Sequence, residues 1–177
     1  MAGVSDPGYN NSPGYDRITE MASHTHLRRL PRVWIEQPIY FVTACTKDRR
    51  ELLNCESAAS ILVEEWHKFR SRHGWLVGRY VIMPDHVHFF CCPTHQAKSL
   101  SVVMRMWKQW TSKRLAMVVG VVGPVWQVEF FDHVLRSSES YQEKWLYVQE
   151  NPVRAGLVQN QEDWPWQGEL ERLELPL

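Results

Sequence analysis

Two runs of strand-forming residues, Trp75–Met83 and His86–Cys92, are separated only by Pro84-Asp85. So short a connection rules out a crossover, so the runs pair as an antiparallel hairpin. Side chains alternate along a strand, so His86 and His88 share one face of the second run. Val87, between them, points to the other face and toward a core.

The remaining elements follow from periodicity. Ile39–Thr46 (IYFVTACT) is β-branched and aromatic and reads as a strand. Glu56–Arg72 reads as a helix, with Ala58, Leu62, Trp66 and Phe69 at helical spacing and Gly74 where a C-terminal cap belongs. Ser99–Met117 is a second helix, with an apolar stripe of Leu100, Val103, Met104, Trp107 and Leu115. After a break at Gly120–Pro124, Val125–Leu135 reads as a final, irregular strand. A third helix is predicted from near Ser140, which has capping-box spacing to Glu143, to near Asn151, where Pro152 disfavours helix and a turn follows. The order is β-α-β-β-α-β plus one helix. It predicts an α+β fold with a ferredoxin-like core, an antiparallel sheet with helices on one face, and an added C-terminal helix. Residues 1–30 read as a flexible tail rich in Gly, Asn, Ser and Pro near its start, residues 31–158 as the folded domain, and residues 159–177 as an acidic tail.

A chain of 177 residues with 44% hydrophobic content supports one domain with a real core. The longest valine-rich run, Met117–Val122, is far too short to span a membrane, and the N-terminus lacks the pattern of a secretory signal. No membrane partner is expected, and the expected location is cytoplasmic. Cys45, Cys55, Cys91 and Cys92 form no Cys-x-x-Cys pair, which favours reduced, buried thiols over a zinc or disulfide framework. Formal net charge is zero, yet Lys98–Ala116 carries only cations, while the last segment carries Glu162, Asp163, Glu169, Glu171 and Glu174 against Arg172. A neutral total therefore hides a basic helix and an acidic end.

Three groups could carry chemistry. Two imidazoles on one strand face can chelate a metal, although His-x-His also occurs on plain solvated strands. Tyr147 lies off the apolar stripe of Tyr141, Trp145 and Val148, so its phenol is either a presented nucleophile or a tyrosine at the domain edge. Asn151 stands one turn beyond Tyr147; its carboxamide oxygen suits Mg²⁺ or Mn²⁺, and equally suits a helix end before proline. Arg105, Lys108, Gln109, Lys113 and Arg114, with Trp107 and Trp110 among them, fit a phosphate backbone and an unpaired base, or simply a solvated face. Phosphate-binding loops, nucleophile elbows and H-E-x-x-H helices are absent from the sequence.

The blocks FVTACTKDRRELL (Phe41–Leu53), VIMPDHVHFF (Val81–Phe90), VWQVEFFDHVLR (Val125–Arg136) and YVQENPVRAGLV (Tyr147–Val158), in this order, resemble the REP-associated tyrosine transposases. These are relatives of the single-strand insertion-sequence transposases within the HUH (His-hydrophobic-His) endonucleases. The resemblance spans roughly Trp34 to Trp166 and implies a ferredoxin-like core, a divalent metal (Mg²⁺ or Mn²⁺) and a tyrosine on a C-terminal helix. By this resemblance His86 and His88 hold the metal, Asn151 is its third ligand and Tyr147 is the nucleophile. Lys108 takes the position of the family's helix lysine, and Arg154 joins the DNA-contact set. Cleavage through a 5′-phosphotyrosine and rejoining of hairpin or single-stranded DNA of the nucleoid is the expected activity, by a monomer or homodimer. Relatives' usual residue two after the tyrosine is replaced by Gln149, and their asparagine before the first histidine by Asp85. The alternatives are a domesticated hairpin binder that no longer cuts, a metal-dependent hydrolase of a small substrate, or a histidine-rich structural domain.

Overall fold

The computed structural model describes residues 38–135 and 138–173. The expected tail at 1–30 lies outside the described residues. The elements are β1 (Ile39–Cys45), α1 (Glu56–His67), α2 (Phe69–His73), β2 (Trp75–Met83), β3 (His86–Pro93), α3 (Leu100–Val119), β4 (Phe131–Leu135), α4 (Ser138–Gln149), α5 (Asn151–Arg154) and β5 (Gln167–Glu169). The strands form one antiparallel sheet in the order β4-β1-β3-β2-β5. Its first four strands and two long helices are the ferredoxin-like core anticipated from the element order.

Both faces of the sheet are covered. On one, Val42, Ala44, Val77, Ile82, Val87 and Phe89 pack against Leu62 and Trp66 of α1 and Val103 and Trp107 of α3. On the other, Phe41, Val81, Met83 and Phe90 pack against Tyr141 and Val148 of α4 and against Trp164 and Leu173. The added helix thus lies across the sheet from the other two long helices, and its buried residues are those of the apolar stripe.

The single helix expected over Glu56–Arg72 is two, hinged at Lys68. Glu65, buried beside that hinge, receives Lys68 Nζ and Arg72 Nη1 at 2.9 Å each and Arg114 Nη1 at 3.1 Å. Burial pushes its carboxyl upward, but the hydrogen bonds and charges of these cations outweigh burial and hold it below the usual carboxylate range. Gly74 ends α2 as expected, at φ 73°; a Cβ there would also stand 2.9 Å from the Ala97 backbone, so glycine is required twice over. His73, in the last turn of α2, is buried, with its ring edge-on to Phe69. Helix α4 begins at Ser138, so Ser140 is inside it rather than its cap.

Two larger expectations are corrected. Val125–Phe130 is not strand. Its carbonyls at Gln127, Val128 and Glu129 accept hydrogen bonds from Lys108 Nζ at 2.8, 3.1 and 2.7 Å, which takes the groups a sheet neighbour would use. Only an isolated bridge, Thr46 to Trp126, precedes β4. The segment after 158 is not simply a tail either. It contributes β5 on the edge of β2, and Trp164 is buried with its Nε1 donating to the Ile82 carbonyl at 3.0 Å. Glu162, Asp163 and Glu169 occupy exposed positions, while Trp164 and Trp166 pack inward.

Among the described residues no helix is long and apolar enough to cross a membrane. All four cysteines are free thiols, and Cys45, Cys91 and Cys92 are buried.

Two outcomes check these packing assignments by urea denaturation. Trp164→Ala is expected to destabilise the fold by about 3–5 kcal/mol, as loss of a core aromatic does; a change near zero would restore the tail reading. Lys108→Ala strands three carbonyls and is expected to cost about 1–3 kcal/mol, whereas a solvated lysine would cost nothing measurable.

Candidate metal and tyrosine centre

Strand β3 is the middle strand of the sheet, and its alternation places Val87 in the helix-covered core and His86 and His88 on the face that α4 covers. The two Nε2 atoms stand 3.1 Å apart. Each ring is held from behind. His86 Nδ1 lies 2.5 Å from Asp85 Oδ1, and His88 Nδ1 lies 2.8 Å from the hydroxyl of Thr43, its cross-strand partner on β1. The Phe41 ring stacks on His88 at 5.3 Å.

Burial, and then the charges of His86, Arg49, Lys144 and Arg154, push His88 well below the usual histidine range. It is therefore a neutral ring near pH 7, the form that offers a lone pair to a metal. Asp85 is drawn the other way: burial raises its carboxyl, but the His86 hydrogen bond and the charges of His86 and Arg49 leave it lower than usual.

The residues fit a divalent cation. Two nitrogens converging at 3.1 Å must share a proton or a cation, and ligands about 2.1 Å from an ion at right angles stand about 3 Å apart. The Nδ1 tethers to carboxylate and hydroxyl are the outer contacts that orient metal-binding imidazoles. No group of three or more His, Cys, Asp or Glu converges among the described residues.

Tyr147 is half-exposed on α4, and its neighbours form one cluster. The Arg154 guanidinium lies over its ring at 4.0 Å, donates to the Tyr147 carbonyl at 2.5 Å, and donates to Asn151 Oδ1. Asn151 opens the short helix α5 rather than ending α4, so its side chain and that of Arg154 share one turn. Lys144 Nζ links this cluster to the sheet, 5.4 Å from the Tyr147 ring centre and 5.5 Å from that of Phe41, the ring that stacks on His88.

The structure therefore gathers His86, His88, Tyr147, Asn151 and Arg154 on one side of the sheet. It does not bring the α3 set to them. Helix α3 packs on the opposite face. Lys108, expected on DNA, is turned inward onto three carbonyls. Arg114, also expected there, is paired with Glu64 at 2.6 Å and Glu65 at 3.1 Å. Arg105, Gln109 and Lys113 are exposed, and Lys113 Nζ lies 5.4 Å above the half-exposed Trp110 ring. Wheel geometry could not separate these roles, because it does not show which loop lies beside a helix. Thr43, Phe41, Arg49 and Lys144 were missed for a related reason: only strand register and helix docking bring them to the histidines. Asp85 carried a signal, being adjacent in sequence to His86.

Comparisons with known proteins bear on the family and the fold. The family model described as transposase IS200 like matches residues 35–149. The chain is 24% identical over 135 residues to the REP-associated tyrosine transposase of Escherichia coli (strain K12), covering 76% of this chain and 78% of that protein. It shares its fold with a solved structure of a REP-associated tyrosine transposase bound to a REP hairpin, with TM-score 0.63 and 23% identity over 80% of this chain and 82% of the other. With the match running from before β1 to the end of the tyrosine helix, the chain belongs to the IS200-like transposases, enzymes that cut and transfer DNA strands.

Proposed function

We propose that this transposase cuts and rejoins hairpin-bearing single-stranded DNA through Tyr147, using Mg²⁺ or Mn²⁺ held by His86 and His88 with Asn151 as the third ligand. The observation that carries this reading is the convergence of two back-tethered imidazole nitrogens, 3.1 Å apart, on the sheet face covered by the helix of Tyr147. The similarity to a protein solved with a REP hairpin supports the choice of DNA.

When bound, the cation supplies Lewis-acid polarisation of the scissile phosphate and offsets its developing charge. The protein's own groups do the rest. Tyr147 presents a phenol at the edge of the site, where a strand end can reach it. Its oxygen attacks phosphorus, the bond to the 3′ oxygen breaks, and the products are a 5′-phosphotyrosine and a 3′-hydroxyl. The phenolic proton leaves to solvent and the departing oxygen takes one up. The covalent link keeps the bond energy, so attack by a 3′-hydroxyl rejoins strands without ATP. Arg154, stacked on the phenol ring, fixes its direction and adds positive charge beside the strand. Arg105, Gln109 and Lys113, across the sheet, are assigned to the hairpin's outer phosphates, and Trp110 offers a face for an unpaired base. The expected setting is the cytoplasm, on nucleoid DNA.

Hairpin binding without cleavage is the second reading, favoured by one observation: Asn151 Oδ1 already accepts a hydrogen bond from Arg154. A labelled single-stranded hairpin incubated with Mn²⁺ and run on a denaturing gel decides between them. A covalent adduct is expected from the wild type and none from Tyr147→Phe, with hairpin binding retained; wild-type protein that binds but forms no adduct supports the second reading. His88→Ala is expected to lose the dependence of adduct formation on added Mn²⁺, and an unchanged metal response would remove the histidines from the site.

A further inference from the structure

Behind His86 the chain adopts a backbone that L residues rarely take. Asp48 and Arg49 are consecutive, non-glycine and left-handed, with φ of 58° and 54°. Two such residues in a row persist only where their surroundings hold them, and they concentrate at functional sites. What this turn achieves is specific. It aims Arg49 Nε at Asp85 Oδ2, 2.7 Å away, and Arg49 Nη1 at the buried Cys45 sulfur, 2.8 Å away. The other oxygen of the same carboxylate meets His86 Nδ1 at 2.5 Å. The main chain of Asp85 is fixed as well: its carbonyl accepts from the Thr46 N–H at 2.8 Å and the Thr46 hydroxyl at 2.9 Å, while the Pro84 carbonyl accepts from the Leu53 N–H at 2.9 Å.

We infer that Arg49 and Asp85 form a positioning relay behind His86, which sets the affinity of the histidine pair for a divalent cation. This rests on the reading of His86 and His88 as metal ligands. A carboxylate on Nδ1 fixes the tautomer with Nε2 unprotonated and makes that nitrogen a stronger donor. The guanidinium on the second oxygen keeps the carboxylate from rotating away. His88 has only the neutral Thr43 hydroxyl in the same place, so the two ligands are unequal, and His86 is the anchoring one. Asp85 is mostly covered, with 19% of its side chain exposed, so the relay is shielded more than a surface ion pair would be.

The test is direct Mn²⁺ titration of the DNA-free full chain, reading unbound Mn²⁺ by electron paramagnetic resonance, with a thermal melt of every variant. Asp85→Ala is expected to weaken Mn²⁺ binding by about 10–100-fold. Asp85→Asn, which keeps an oxygen but no charge, is expected to fall between it and the wild type. Arg49→Gly removes the guanidinium and accepts the left-handed φ without strain; it is expected to weaken Mn²⁺ binding while the melt holds. Wild-type Mn²⁺ affinity in Asp85→Ala, alongside loss of binding in His86→Ala, overturns the relay and leaves the histidine site standing. Wild-type affinity in His86→Ala removes the metal reading and the relay with it.

Discussion

Strand β3 runs through the middle of a sheet that is buried on both sides, and the site depends on its two-residue alternation. Val87, Phe89 and Cys91 are committed to the core under α1 and α3; His86, His88 and Phe90 are committed to the face under α4. A slip of one residue would exchange the two sets and bury both imidazoles among tryptophans. The register is fixed at both ends of the strand. The β2–β3 turn is tied by Thr46 and Leu53 to the segment after β1, and Pro93 pairs with Trp75 at the other end. A slip that moved the histidines would also have to break up the buried cluster on the opposite face.

The charge distribution also has an internal explanation. Lys108 is consumed in shaping the loop before β4, and Glu65 gathers Lys68, Arg72 and Arg114 where α1, α2 and α3 meet. Since Glu65 titrates below its ordinary value, its contribution to stability is full above the ordinary carboxylate range and is lost as pH falls through the lowered value. Arg79 stands about 5.5 Å or less from the rings of Tyr141 and Trp145 and 3.5 Å from Glu169, so it binds α4 to the edge of the sheet. A neutral chain can therefore still present positive charge locally, as with Arg49, Lys144 and Arg154 near the histidines and Arg105 and Lys113 on the far helix.

Much of this was legible without coordinates. The hairpin, the shared face of His86 and His88, the helical stripe that leaves Tyr147 outside it, and the element order are all local periodicities of 2 or 3.6 residues, and local periodicity is written in the chain itself. The irregular stretch before β4, the packed segment after 158 and the inward turn of Lys108 were not legible, because each depends on a neighbour distant in sequence.

The sequence alone determined which side chains share a face: the two histidines, the tyrosine off its stripe, and Asn151 one turn on. Only the tertiary structure decided which faces meet. It laid α4 over the histidines, put Thr43 and Asp85 behind their rings, and set Arg154 on the tyrosine. It also placed α3 and its remaining exposed cations on the other side of the sheet. The reason is physical. A face follows from backbone geometry over a few residues, whereas the partner of a face is chosen by long-range packing, register and the burial of every polar group at once.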